Sequence, residues 1–219
     1  MPASSSGGGD GARAAGSIRA ASRPWRNCAG MTLVDSIVSL GVVAVLASLA
    51  VPFLVAAREE SQVMAAARYL AAQAMLARSR AVQYGARVGL RFEQEAGGYR
   101  YAAYVDGDDD GIRTADVASG VDRPLGPPRR LREAYPAVRF ELDSSLPPVT
   151  GTSRGGANAD PIRFGSGDTL SFSPVGTATS GSLYLRGRSG LQCVLRVLGT
   201  TGRIRTLCYH PGDGEWKER

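Results

Sequence analysis

GMTLVDSIVSLGVVAVLASLAVPFLVAA, residues 30–57, is the stretch on which the fold turns. From Ile37 to Ala57 it runs twenty-one residues without a charge, and Asp35 is the one charged residue between Arg26 and Arg58. At about 1.5 Å per residue, a helix of about 20 apolar residues crosses the hydrocarbon of a bilayer. A secretory signal has a shorter apolar region, roughly 7–15 residues, followed by a small-residue cleavage site. This run is longer and lacks a clear one, so it reads as a membrane anchor. Arg13, Arg19, Arg23 and Arg26 precede it, which by the positive-inside rule keeps the N-terminus in the cytoplasm and sends the residues after Arg58 outside.

Asp35 is costly in such a helix, roughly 3 kcal/mol at the bilayer centre and less near an end. It either reaches the interface or meets a cation, and the nearest conceivable cation is a new amino terminus. Pro52 removes one backbone hydrogen bond and permits a kink without ending the helix.

Residues 1–30 are rich in Gly, Ala and Ser and carry no apolar period, which reads as a leader outside the fold. Their four arginines outweigh Asp10 by three, so removing them lowers the formal charge from +6 to +3. A concentrated basic face of the kind used on phosphate backbones is not evident from this balance. Cys28, Cys193 and Cys208 form no CxxC pair, and His210 is the only histidine, which excludes a zinc site of ordinary spacing and leaves little for Ser-His-Asp or Cys-His catalysis. No enzyme is expected.

Beyond the anchor, Val63, Ala67, Leu70, Ala74, Ala77 and Ala81 recur at spacings of three and four. They predict that the same helix continues to about Tyr84, roughly 80 Å from its start, with an alanine-rich face packed on a sheet. After Gly85 the period changes to two. Val88, Leu90 and Phe92 alternate, then Tyr99, Tyr101, Ala103 and Val105, with residues 93–98 between them as a turn. Further short strands are expected at 138–142, 162–164, 169–172, 183–185, 191–198 and 204–209, whereas the proline-rich stretch 116–160 reads largely as loop. The fold class is α+β. One long N-terminal helix, transmembrane over 31–57 and outside the membrane over 58–84, packs on an antiparallel β domain of residues 85–219.

Gly30, Met31, Thr32, Leu33, Val34 and Asp35, followed by the apolar run, resemble the prepilin-type cleavage and methylation signal, with Met where Phe is usual and Asp where Glu is usual. Residues 172–185 and 199–204 resemble the C-terminal β region of the general secretion pathway protein H and minor pilin T group. The resemblance implies a pilin-like fold and a minor pseudopilin. A prepilin peptidase would cut after Gly30, removing Cys28 with the leader, and N-methylate Met31. Asp35 would neutralise the amino terminus of a neighbouring subunit during assembly. The implied partners are other pseudopilins or pilins and an inner-membrane assembly platform. The implied location is the bacterial inner membrane, single-pass, with the C-terminal domain in the periplasm.

Two constellations lie in the outer domain. If Thr200 and Thr201 form a two-residue hairpin turn, cross-strand partners sum to 401, which sets Cys193 opposite Cys208. Either a structural disulfide, permitted by export, or two buried thiols follows. Asp106, Asp108, Asp110 and Gly111 resemble the start of a calcium loop, with Asp116 one position short of the twelfth residue, Val117. The alternative is a solvated acidic loop, and no cofactor other than this calcium ion is expected. Two other functions stay open. One is a type IV pilus minor pilin that binds DNA during uptake through Arg203, Arg205, Lys217 and Arg219. The other is an anchored ligand-binding β domain in which Gly30 is never cut.

Overall fold

In the computed structural model the described residues are 32–149, 160–210, 212 and 214–219, so Cys28, Gly30 and Met31 lie outside them. The chain divides into two compact units, Met1–Val45 and Leu46–Arg219. Helix α1 (Leu33–Tyr84) begins in the first and ends in the second. Its apolar start leaves large side chains open, with Leu33 76% and Phe53 75% exposed. It contains a window long and apolar enough to cross a membrane, none of it buried.

Within the second unit α1 changes character. Val63, Ala66, Ala67, Leu70, Ala74, Ala77 and Ala81 are buried along one stripe, as the sequence spacing predicts. Alanine there lets the helix backbone approach closely, and Gly187 serves the same contact, since a Cβ on it would lie 2.5 Å from the Val63 side chain. The helix stops at Gly85, whose φ of +64° is the left-handed conformation that ends helices.

Two antiparallel sheets follow. In the first, β1 (Val88–Glu95) and β2 (Gly98–Val105) pair from Val88↔Val105 to Glu95↔Gly98. The turn is therefore Ala96 and Gly97 alone, shorter than the predicted 93–98. Gly97 and Gly98 have φ of +100° and +139°, which permits so tight a reversal. Arg100 bridges Glu93 at 2.6 Å and Glu95 at 2.9 Å across the strands, holding the acidic residues in the ladder.

The proline-rich stretch is less irregular than expected. It holds α2 (Thr114–Ser119), β3 (Arg123–Pro124), β4 (Arg129–Arg130) and α3 (Leu131–Ala134). Strands β3 and β4 both attach to β2. Next come β5 (Val138–Phe140), β6 (Ile162–Phe164) and β7 (Thr169–Phe172), and β7 pairs with β1.

The second sheet runs β11-β10-β9-β8-β5, with β6 also on β8. Its long strands are β8 (Gly181–Gly187), β9 (Gln192–Leu198) and β10 (Arg203–Tyr209), and the short β11 (Trp216–Glu218) closes the edge. One apolar core joins the α1 stripe to both sheets through Leu90, Phe164, Leu170, Phe172, Leu183 and Leu195. A smaller cluster on the other face of the second sheet gathers Val149, Tyr184 and Val194 with Leu142, Leu207 and Trp216.

Candidate functional site

The described chain begins on a closed capping arrangement. The Thr32 hydroxyl donates to Asp35 Oδ2 at 2.8 Å and the Thr32 N–H donates to the same oxygen at 3.2 Å. In return the Asp35 N–H donates to Thr32 Oγ1 at 3.2 Å. This is the reciprocal N-cap and N3 pairing that satisfies the orphan donors of a first helical turn, and a carboxylate there also meets the positive end of the helix dipole. The side chain singled out as a membrane cost is thus held at the helix mouth by its own chain.

The register of β9 and β10 is the one expected. Arg203 pairs with Leu198 and Cys208 with Cys193, but the connection is the four residues 199–202 rather than the expected two-residue turn, with Thr200 and Thr201 at its centre so that the pairing still sums to 401. Cys193 and Cys208 form a disulfide, their Cα atoms 4.0 Å apart, the close spacing of a non-hydrogen-bonded antiparallel pair. Both are buried, on the core face. Replacing both by serine is expected to lower unfolding stability by about 2–3 kcal/mol, the scale of a closed 15-residue loop. Denaturation of the full chain in detergent with and without reductant reads this, and a difference below the measurement error would contradict it.

The acidic loop follows β2. Asp106 is buried, and its carboxylate accepts from three backbone N–H groups: Asp108 at 3.3 Å, Asp109 at 2.9 Å and Gly111 at 2.9 Å. Asp122, fully buried, closes the loop from the far side by accepting from Gly107 N–H at 3.2 Å and Arg113 N–H at 3.0 Å. Gly107 must be glycine here, because a Cβ would stand 2.2 Å from the Val121 carbonyl oxygen. The predicted Asp106, Asp108, Asp110 and Asp116 divide into two carboxylate groups. Asp108 and Asp110 meet Asp116, whereas Asp106 and Asp108 meet Asp122, each trio with ligand oxygens within 4.8 Å. Val117, the twelfth position, is inside α2 and donates its N–H to Arg113. Partial burial first, then Asp108 and Asp116, push the Asp110 carboxyl above its ordinary value against the opposing pull of its ion pair with Arg113.

These hydrogen bonds account for the loop's shape through side-chain caps on the backbone. Asp122→Ala would leave two N–H groups in a buried site without acceptors and is expected to cost about 2 kcal/mol. Hydrogen exchange at Gly107 and Arg113 checks it, and unchanged protection would contradict it.

The four cations named from the sequence are not one cluster. Arg203 and Arg205 lie with Leu207 on the outer face of β10, lining a groove of about 460 Å³ shared with Val149, Arg196, Leu198 and Trp216. Lys217 pairs with Cys208 and so alternates to the opposite face, and Arg219 continues the ladder by donating its N–H to Thr206 O at 3.0 Å. The residue missed is Arg196, which β9 sets directly opposite Arg205. The cue was present, since 196 and 205 also sum to 401. Trp216 closes one end, its indole N–H donating to Pro147 O at 2.8 Å and its ring 5.5 Å from that of Tyr209.

Residues 66–158 match the family model of type II transport protein GspH. Comparison with curated proteins and with solved structures gives no match. The matched segment takes in the packed half of α1, the β1–β2 hairpin, the acidic loop and β5, and leaves outside it both the capped N-terminal segment and the strands β6 to β11. With one long apolar helix leading into antiparallel sheets around that segment, the chain has an α+β, pilin-like architecture, and its residues 66–158 are similar to type II transport protein GspH.

Proposed function

We propose that the chain is a minor pseudopilin of a type II protein secretion system. The observation that carries this reading is α1, which starts as an exposed apolar anchor at the Thr32–Asp35 cap and ends as the buried face of the domain that matches the family. In this reading a prepilin peptidase cuts after Gly30 and methylates Met31. The first half of α1 stays in the inner membrane with the N-terminus cytoplasmic and the β domain periplasmic. Asp35 then passes from its own Thr32 to the amino terminus of a neighbouring subunit, which pairs two charges that neither could leave unpaired in lipid. Other pseudopilins and the inner-membrane platform are the partners, and the disulfide suits the oxidising periplasm. Deleting the chain should leave exported enzymes in the periplasm, and complementation should restore their release. Normal secretion in the deletion strain would sink this reading.

A second reading is favoured by one specific observation, the groove in which Arg196, Arg203 and Arg205 converge. A minor pilin of a type IV pilus could hold the DNA backbone there during uptake, by charge and with strong salt dependence. Loss of transformation with intact secretion, in the same deletion strain, would transfer the assignment to it. For the acidic loop the proposal is a calcium ion held by Asp108, Asp110 and Asp116, whose carboxylate oxygens lie within 4.8 Å of one another, with Asp106 in the adjoining trio that shares Asp108. Calcium calorimetry should give a dissociation constant below about 1 mM, weakened by Asp108→Asn. An absence of binding heat would leave the loop held by its hydrogen bonds alone.

A further inference from the structure

The arginine groove contains an acid from its own chain. Arg196 and Arg205 face each other directly across β9 and β10, an arrangement that like charges disfavour. Strand β11 brings Glu218 opposite Leu207, two residues from Arg205 on the same face. There Glu218 Oε1 accepts from Arg205 Nε at 3.0 Å and Oε2 accepts from a terminal guanidinium nitrogen at 2.5 Å. This two-point geometry is the one a guanidinium offers to a carboxylate or a phosphate. The Arg205 hydrogen bonds first, and then the charges of Arg205 and Arg203, hold the Glu218 carboxyl below its ordinary value.

We propose that Glu218 is a built-in competitor for the anionic group that the groove takes, so that the C-terminal strand sets how tightly the groove binds. This rests on the DNA-binding reading of the groove given above. The strand is made for partial release. Trp216 is half-buried and tied to Pro147, whereas the Arg205 and Glu218 side chains are 48% and 46% exposed. An exposed pair of this kind is weak, so an incoming phosphate displaces it readily while Trp216 keeps the strand in register. Glu218 then lowers affinity without abolishing it.

The test is fluorescence anisotropy of a labelled DNA duplex of about 30 base pairs, titrated with the full chain in detergent micelles at several salt concentrations. Glu218→Gln should bind about threefold to fivefold more tightly than the natural chain, the worth of one exposed ion pair, and its log–log salt slope should steepen by about one. Glu215→Gln, the same charge change at an exposed tail residue, should move affinity far less. In an Arg205→Ala background Glu218→Gln should have no further effect. If the natural chain binds and Glu218→Gln binds equally, or if Glu215→Gln matches it, the competitor is overturned while the groove reading stands. If neither the natural chain nor Glu218→Gln binds, the groove reading falls and the competitor with it.

Discussion

Phe172→Ala is expected to destabilise the β domain by about 3–5 kcal/mol, enough to unfold a domain of ordinary marginal stability in a large fraction of molecules. Phe172 is 0% exposed and ends β7, where it pairs with Val88 at the start of β1 and bridges to Ala178 on the far side. It sits in the cluster that joins the α1 stripe to both sheets, so no neighbour can move into its volume without opening one of those contacts. Phe172→Leu should retain most of the stability, because volume and apolar character are largely kept. Pulse proteolysis of the full chain in detergent reads both variants. An alanine variant as resistant as the natural chain would mean that the helix and the sheets do not share this core.

The second large effect concerns Asp35. In the chain itself its carboxylate is a cap, and losing a cap costs about 1 kcal/mol. Under the pseudopilin reading it also neutralises a neighbour's amino terminus, and removing one partner of a buried pair costs about 3–5 kcal/mol. Asp35→Asn separates the two roles, since its amide oxygen can still accept from Thr32 while its charge is gone. Both Asp35→Ala and Asp35→Asn should therefore reduce incorporation into filaments by about 100-fold to 1,000-fold or more. Asp35→Glu, which keeps the charge, should assemble close to normally. Quantifying the subunit in sheared filament fractions gives the answer. An asparagine variant that assembles normally would reduce Asp35 to a helix cap.

The elements legible in the sequence were those whose own periodicity fixes them. The helix end at Tyr84, the β1–β2 alternation and the Cys193–Cys208 register all follow from spacing within one continuous segment. What stayed hidden is held by partners elsewhere in the chain. Strands β3, β4 and β11 are two or three residues long, too short for a pattern, and exist because β2 and β10 offer open edges. Asp122 has no fixed spacing from Asp106 and reaches the loop only because the chain returns through α2. The division of Arg203 and Arg205 from Lys217 depends on the pairing of β11, which no local signal announces. The turn after Glu95 was misplaced because polar residues read as loop, although here they form cross-strand ion pairs.

The most direct test of the pseudopilin reading is the intact mass and N-terminal sequence of the protein extracted from membranes of cells with and without an active prepilin peptidase. A peptidase-dependent start at N-methylated Met31 is the expected result. A start at Met1 in both strains would contradict it, and would leave an uncleaved single-span protein that cannot place a free amino terminus beside Asp35.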